Sequence, residues 1–127
     1  MQKVRLSEAL ASFKDVWSPR IVGELNGQHV KLVKLQGEFI WHHHATEDEM
    51  FLVVQGSFQM QFRDATGNVR QLEIHEGEFV IVPRGTEHCP CAAEECHVLL
   101  FEPAGTLNTG NVKDDHTVEK PNWIVGE

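Results

Sequence analysis

From residue 20 to residue 103 the sequence falls into short apolar runs, spaced roughly 8–12 residues apart, with Gly, Asn or Pro at most of the breaks. Helices need longer uninterrupted stretches, so this rhythm constrains the fold more than any other feature of the chain. Runs at 21–25 and 29–35 flank Asn26-Gly27, a dipeptide suited to a two-residue hairpin turn. Further strands are expected at 39–44, 49–55, 57–63, 69–74, 78–82, 88–92 and 97–101. The cleanest alternation is Ser57-Phe58-Gln59-Met60-Gln61-Phe62-Arg63, which should turn Phe58, Met60 and Phe62 inward. Phe79, Ile81, Leu99 and Phe101 are expected to join that lining or the shell around it. The outcome is an all-β sandwich or barrel.

The two ends depart from this rhythm. Leu6, Leu10 and Phe13, with Ala9 between, have helical spacing. One short amphipathic helix is expected over 6–15, with Ser7 as N-cap and Pro19 ending it by Trp17 or Ser18. After Pro103 the chain turns small and polar, and 104–127 reads as a covering segment. Its Trp123-Ile124-Val125 run is apolar enough to dock on a surface such as a second subunit. The whole, 1–127, is expected to be a single domain with its barrel core at about 21–103.

Charge and cysteine content exclude several functional classes. A net charge of -8 and a pI near 5.4 argue against a surface that tracks nucleic-acid phosphates. They do not bar an anionic substrate, because a bound metal inverts the local field. No apolar run approaches the ~20 residues of a membrane helix, and the N-terminal residues do not read as a signal peptide. Cys89, Cys91 and Cys96 cannot all pair internally, which fits a reducing, cytoplasmic setting.

Chemistry is concentrated in Trp41-His42-His43-His44-Ala45-Thr46-Glu47-Asp48-Glu49. In an extended stretch His42 and His44 share one face and His43 takes the other. Glu49 opens the next apolar run and can turn back onto the first face. Two imidazoles and a carboxylate on an apolar-lined face are a candidate metal site. A fourth ligand is offered by His88, placed by the turn Pro83-Arg84-Gly85 at the start of a strand. Glu47 and Asp48 read as a solvated turn, and Arg84 and Glu87 likewise. Trp41 reads as packing. Cys89 and Cys91 are separated by one residue and face away from His88, so they read as small thiols and not as a zinc site. His29, His75, His97 and His116 read as structural or surface residues.

These residues resemble a small single-domain cupin. The first cupin motif is His-x-His, four residues, Glu, six residues, Gly; His42, His44, Glu49 and Gly56 match it. The second is Gly, five residues, Pro-x-Gly, two residues, His; Gly77, Pro83, Gly85 and His88 match it in full. Gly37 stands one residue nearer the first histidine than the usual pattern, and Ala92 replaces a common asparagine. The surrounding segments are similar to a bacterial branch loosely labelled phosphomannose-isomerase-like. The resemblance implies a double-stranded β-helix, or jelly roll. It also implies a mononuclear site for a divalent transition metal (Mn, Fe, Co, Ni, Cu or Zn) on His42, His44, Glu49 and His88, and a homodimer.

Three functional classes share that ligand set. One is a metal-dependent enzyme on a small polar substrate, isomerase-like or dioxygenase-like, with Glu49 as the possible base. Another is a non-enzymatic module holding a metal or small molecule. The third is a metal-free isomerase or epimerase in which His and Glu do acid–base work directly.

Overall fold

A computed structural model describes residues 1–124. Helix α1 (Leu6–Ala11) precedes the strands β1 (Arg20–Leu25), β2 (Gln28–Glu38), β3 (Glu49–Gln55) and β4 (Ser57–Arg63). The remaining strands are β5 (Val69–His75), β6 (Phe79–Val82), β7 (His88–Pro103) and β8 (Asn122–Trp123). Their order is β5-β4-β7-β2-β1-β8, with β3 also pairing β7 and carrying β6 on its other side. No ladder joins β5 to β6, so the jelly roll curls round its core without closing. The fold is all-β with a short N-terminal helix, as the sequence indicated.

Local chemistry explains most of the ladder. Asn26 and Gly27 both hold positive φ, 51° and 78°, which a two-residue hairpin turn with the right twist requires. The β2–β7 ladder runs from Gln28↔Pro103 to Glu38↔Cys91. It slips once, where Gln36 alone opposes residues 93–95. The strands expected at 88–92 and 97–101 are therefore one strand, β7. Exposed Ala93, Glu94 and Glu95 bulge from it and read in the sequence as a break. The start of β7 pairs with β4 and its end with β3, so this strand joins the two layers.

The strand expected at 39–44 does not form. Residues 39–41 oppose only Cys89 and Pro90, and Pro90 has no N–H to donate. Phe39 N–H still reaches the Pro90 carbonyl at 3.0 Å. Beyond His42, which makes a lone bridge to His88, β7 has ended and offers no further edge.

Two apolar clusters follow from strand parity. Inside the roll Val33, Leu35, Phe51, Val53, Phe58, Met60, Val98 and Leu100 pack with Trp17 and Phe39. Outside, Ala9, Leu10 and Phe13 pack on Val22 and Leu32, with Leu99 against them. Burying each large side chain is worth about 1.5–3 kcal/mol. Phe79 and Ile81 were expected inward, but they are 60% and 53% exposed. The continuous run Phe79-Val80-Ile81-Val82 carries no alternation from which to read a face. The register Glu49↔Val82 and Phe51↔Val80 turns Val80 and Val82 inward instead. Leu99 likewise faces the helix side, leaving Val98 and Leu100 to the core, and Phe62 and Phe101 are half-buried.

The helix is shorter than its apolar pattern. It ends at Ala11, where the Ser12 hydroxyl and N–H both donate to the Ala9 carbonyl. Arg5 stands at the N-cap without a side-chain bond, and Ser7 lies within the first turn. Trp17, at φ 59°, folds the following segment back over β2: its backbone N–H donates to Lys34 O and its Nε1–H to Gln36 O. At the other end β8 lies parallel on β1, and Ile124 N–H donates to Ile21 O. The tail thus docks on its own chain; Val125 lies outside the described residues.

Candidate metal centre

Three elements converge on one point inside the roll. The irregular segment 39–48 brings His42 and His44, the first residue of β3 is Glu49, and the first residue of β7 is His88. One ligating atom from each of the four lies within 4.8 Å of all the others. His44 Nε2 is 3.3 Å and His88 Nε2 3.6 Å from Glu49 Oε1. The His42 and His88 rings stand 4.2 Å apart, centroid to centroid.

Backbone groups orient two of the rings. The Nδ1–H of His42 donates to Ile40 O at 2.9 Å, and that of His88 to Thr86 O at 2.8 Å. Each Nε2 is then left as the free lone pair, the arrangement that metal-binding imidazoles use. The two residues also exchange backbone hydrogen bonds, His42 N–H to His88 O and His88 N–H to His42 O.

The donor set fits a metal ion. His44 Nε2, Glu49 Oε1 and His88 Nε2 are all buried without a hydrogen-bond partner. His42, His44, Glu49 and His88 are 2%, 3%, 3% and 0% exposed, so bulk water does not satisfy them. Buried polar atoms left unpaired cost about 1–3 kcal/mol each, and one ion in their midst removes that cost. Burial, and then the neighbouring His88 imidazole, pull the His42 imidazole down to about 4, so it is neutral at pH 7 as ligation requires. Burial on its own would raise the Glu49 carboxyl; the facing His44, His88 and Glu102 side chains outweigh it and hold Glu49 ionised. Burial and the Glu49 charge push the Glu102 carboxyl well above the usual range. Of these two neighbouring carboxyls, Glu49 carries the negative charge.

The support around the site is specific. Gly110, at φ 58°, lies so close to the ligand segment that a Cβ there would stand 2.2 Å from His43 O and 3.1 Å from His42 Cδ2. Asn111 pairs with the His43 backbone in both directions, its Oδ1 accepting from His43 N–H at 2.8 Å. Gly85 N–H donates to His44 O at 2.7 Å. Arg84 does not point into the site; it forks onto exposed Asp48, bonding through its backbone N–H, Nε and Nη2. Trp41 lies under the Arg63 guanidinium and His43 is half-buried beside the ligands, neither in the four-residue cluster. Cys89 and Cys96 are buried, and burial raises both thiols to about 11, so they sit as neutral small side chains apart from the cluster.

Sequence reasoning passed over the other wall. Lys31 and Glu102 are buried in the same cavity, which is lined further by Trp17, Val33, Phe39, Phe51, Leu100 and Asn108. Parity was the available signal: Lys31 is in step with Val33 and Leu35, and Glu102 with Val98 and Leu100.

The comparisons agree with this architecture. The model for the Cupin_2 family, described as a cupin domain, matches residues 29–102. A cupin-2 domain containing protein from Shewanella frigidimarina is 40% identical with a TM-score of 0.73, over 79% of this chain and 93% of that one. The uncharacterized protein YdbB of Bacillus subtilis (strain 168) is 33% identical over 67 residues, which span 53% of this chain and 56% of that protein. At 15% identity the hydroquinone 1,2-dioxygenase PnpCD, solved in complex with Fe3+, shares the fold: TM-score 0.73, over 82% of this chain and 33% of that one. These matches give no support to the phosphomannose-isomerase-like label. With the matched segment reaching from β2 to the end of β7 and carrying both histidine motifs, the chain belongs to the Cupin_2 family of cupin domains.

Proposed function

We propose that this cupin domain binds one divalent transition metal through His42, His44, Glu49 and His88 and takes a small polar molecule beside it. One observation carries the reading: four buried ligating atoms within 4.8 Å, three of them without any hydrogen-bond partner. Three neutral imidazoles and one carboxylate leave a divalent ion with a charge of about +1, and the mixed N/O set suits Mn, Fe, Co, Ni, Cu or Zn. Such an ion supplies Lewis acidity toward a carbonyl or enediolate oxygen. The chain's own residues do the rest. The Ile40 and Thr86 carbonyls fix two rings, the apolar walls exclude bulk water, and Glu49 is the carboxylate that would take up a proton at Oε1 once that oxygen leaves the metal. The fold's occurrence in a dioxygenase solved with Fe3+ puts dioxygen-dependent chemistry first among activities to assay, ahead of sugar isomerisation. A non-enzymatic binding role uses the same site.

Elemental analysis of purified protein tests the reading. About one metal per chain is expected, falling below a tenth in His42→Ala and in His88→Ala. Metal retained by both variants would refute the ligand assignment. A wild-type protein without metal would return the cluster to direct acid–base chemistry.

The same proposal extends to assembly and location. Leu72, Phe79 and Ile81 are 47%, 60% and 53% exposed on and beside the sheet-ending strands β5 and β6, a surface suited to covering by a second copy in a homodimer. Light scattering coupled to gel filtration would show twice the chain mass. Three unpaired thiols are consistent with a cytoplasmic protein. Among the described residues no helix is long and apolar enough to cross a membrane. The chain is read as one cupin domain with its covering segment.

A further inference from the structure

The metal reading leaves two ionisable side chains in the cavity without a ligating role. Lys31 and Glu102 have side chains only 2% and 1% exposed. Lys31 Nζ stands 3.2 Å from Glu102 Oε2 and 3.4 Å from Thr106 O. Glu102 Oε1 is buried with no hydrogen-bond partner. Both residues line the cavity that Glu49 and His42 also line. Burying an ammonium beside a carboxyl in this way is no aid to folding, since well-packed apolar residues of equal volume serve as well or better. The roll therefore keeps, next to its metal ligands, an ammonium and a carboxyl oxygen with bonding capacity to spare.

We propose that Lys31 and Glu102 form the recognition end of the ligand pocket, selecting a small carboxylate that bears a hydroxyl on the adjacent carbon. The ammonium calls for an anionic oxygen, and a carboxylate supplies one in a charge-assisted bond. The unfilled Oε1 calls for a hydrogen-bonding hydroxyl. The two groups lie side by side, so both partners belong on neighbouring carbons. The cavity leaves about 30 Å³ in which a water-sized molecule can be centred, and Val33, Phe51 and Leu100 wall it with hydrocarbon. That space admits a ligand of a few heavy atoms and no extended sugar. The assignment rests on the metal reading above, because Glu49 ties this pair to the metal cluster.

The test uses full-length protein whose metal content is measured first, then titrated calorimetrically with glycolate, acetate and glycolamide. Glycolate is expected to bind at least about tenfold more tightly than acetate, which lacks the hydroxyl, or glycolamide, which lacks the charge. The volume-matched double variant Lys31→Met/Glu102→Met should keep the wild-type metal content and lose glycolate affinity by about tenfold or more. If that variant does not fold, Glu102→Leu serves in its place, with loss of the preference for glycolate over acetate expected. Unchanged glycolate affinity in a folded, metal-loaded variant would overturn the subsite. So would a metal-loaded wild-type protein that does not distinguish the three probes. Absence of metal from the wild-type protein would overturn the metal reading instead.

Discussion

His88 and His42 reach the same point by opposite means. His88 opens a sixteen-residue strand that is bonded to β4 on one side and continues into the ladders with β2 and β3. Its place is set by register. His42 and His44 sit on residues 39–48, outside any strand, and are placed by separate contacts: the backbone of His88, the Gly85 N–H, and the 110–111 corner of the covering segment. A side chain held by register moves only if the sheet moves. A side chain held by contacts from 68 residues away can be disturbed while the sheet stays intact. The first half of the site is thus the half to perturb.

Substitution at Gly110 should have the largest effect. An alanine there meets His43 O at 2.2 Å in a left-handed conformation, so Gly110→Ala is expected to cost roughly 4 kcal/mol in denaturant unfolding and to weaken metal binding with it. Full stability in that variant would mean the covering segment does not hold the ligand loop. Acid comes next. The His42 imidazole is depressed to about 4 in the folded chain, against an ordinary value of 6.5. Between those values the unfolded chain binds the extra proton, so the chelator-treated protein should lose stability as pH falls from 6.5 to about 4, by about 3 kcal/mol in all. Above 6.5 His42 contributes no slope, and a His42→Ala variant should flatten the curve below it.

Asn111→Ala sharpens the contrast. It removes the acceptor for His43 N–H, two bonds from the His42 Cα, and is expected to reduce metal affinity about tenfold while leaving the sheet's hydrogen-exchange protection unchanged. Arg84→Ala should do least. The Asp48 fork is exposed to solvent, and a melting temperature within error of wild type is expected at physiological salt. A clear loss of metal in Arg84→Ala would show that the turn before His88 needs pinning as much as the loop does.

The difference between the halves also explains what the sequence disclosed. All four members of the cluster were legible, because each lies at a fixed offset from a glycine or proline that the turns demand: Gly56 must approach Glu95 O, and Gly85 sits at φ 81°. Gly110 and Asn111 were not legible, since their partner is 68 residues distant and nothing local marks it. Lys31 and Glu102 stayed hidden because charge ordinarily signals solvent, and only strand parity counters that expectation. Where parity itself is unwritten, in the run Phe79-Val80-Ile81-Val82, the inward face was assigned the wrong way round. The strand at 39–44 failed for a reason no pattern of apolar residues carries: its partner strand begins at His88.

The three exposed residues that bulge from β7 have a consequence for how length can vary. Ala93, Glu94 and Glu95 lie opposite Gln36 alone, so an added or deleted residue there leaves the alternation of His88–Ala92 and of Cys96–Pro103 undisturbed. One residue inserted after Val98 would instead swap Leu100 with Phe101 and turn Glu102 out of the cavity. The bulge is the place where this chain can change size, or accept a grafted loop, without its pocket registering the change.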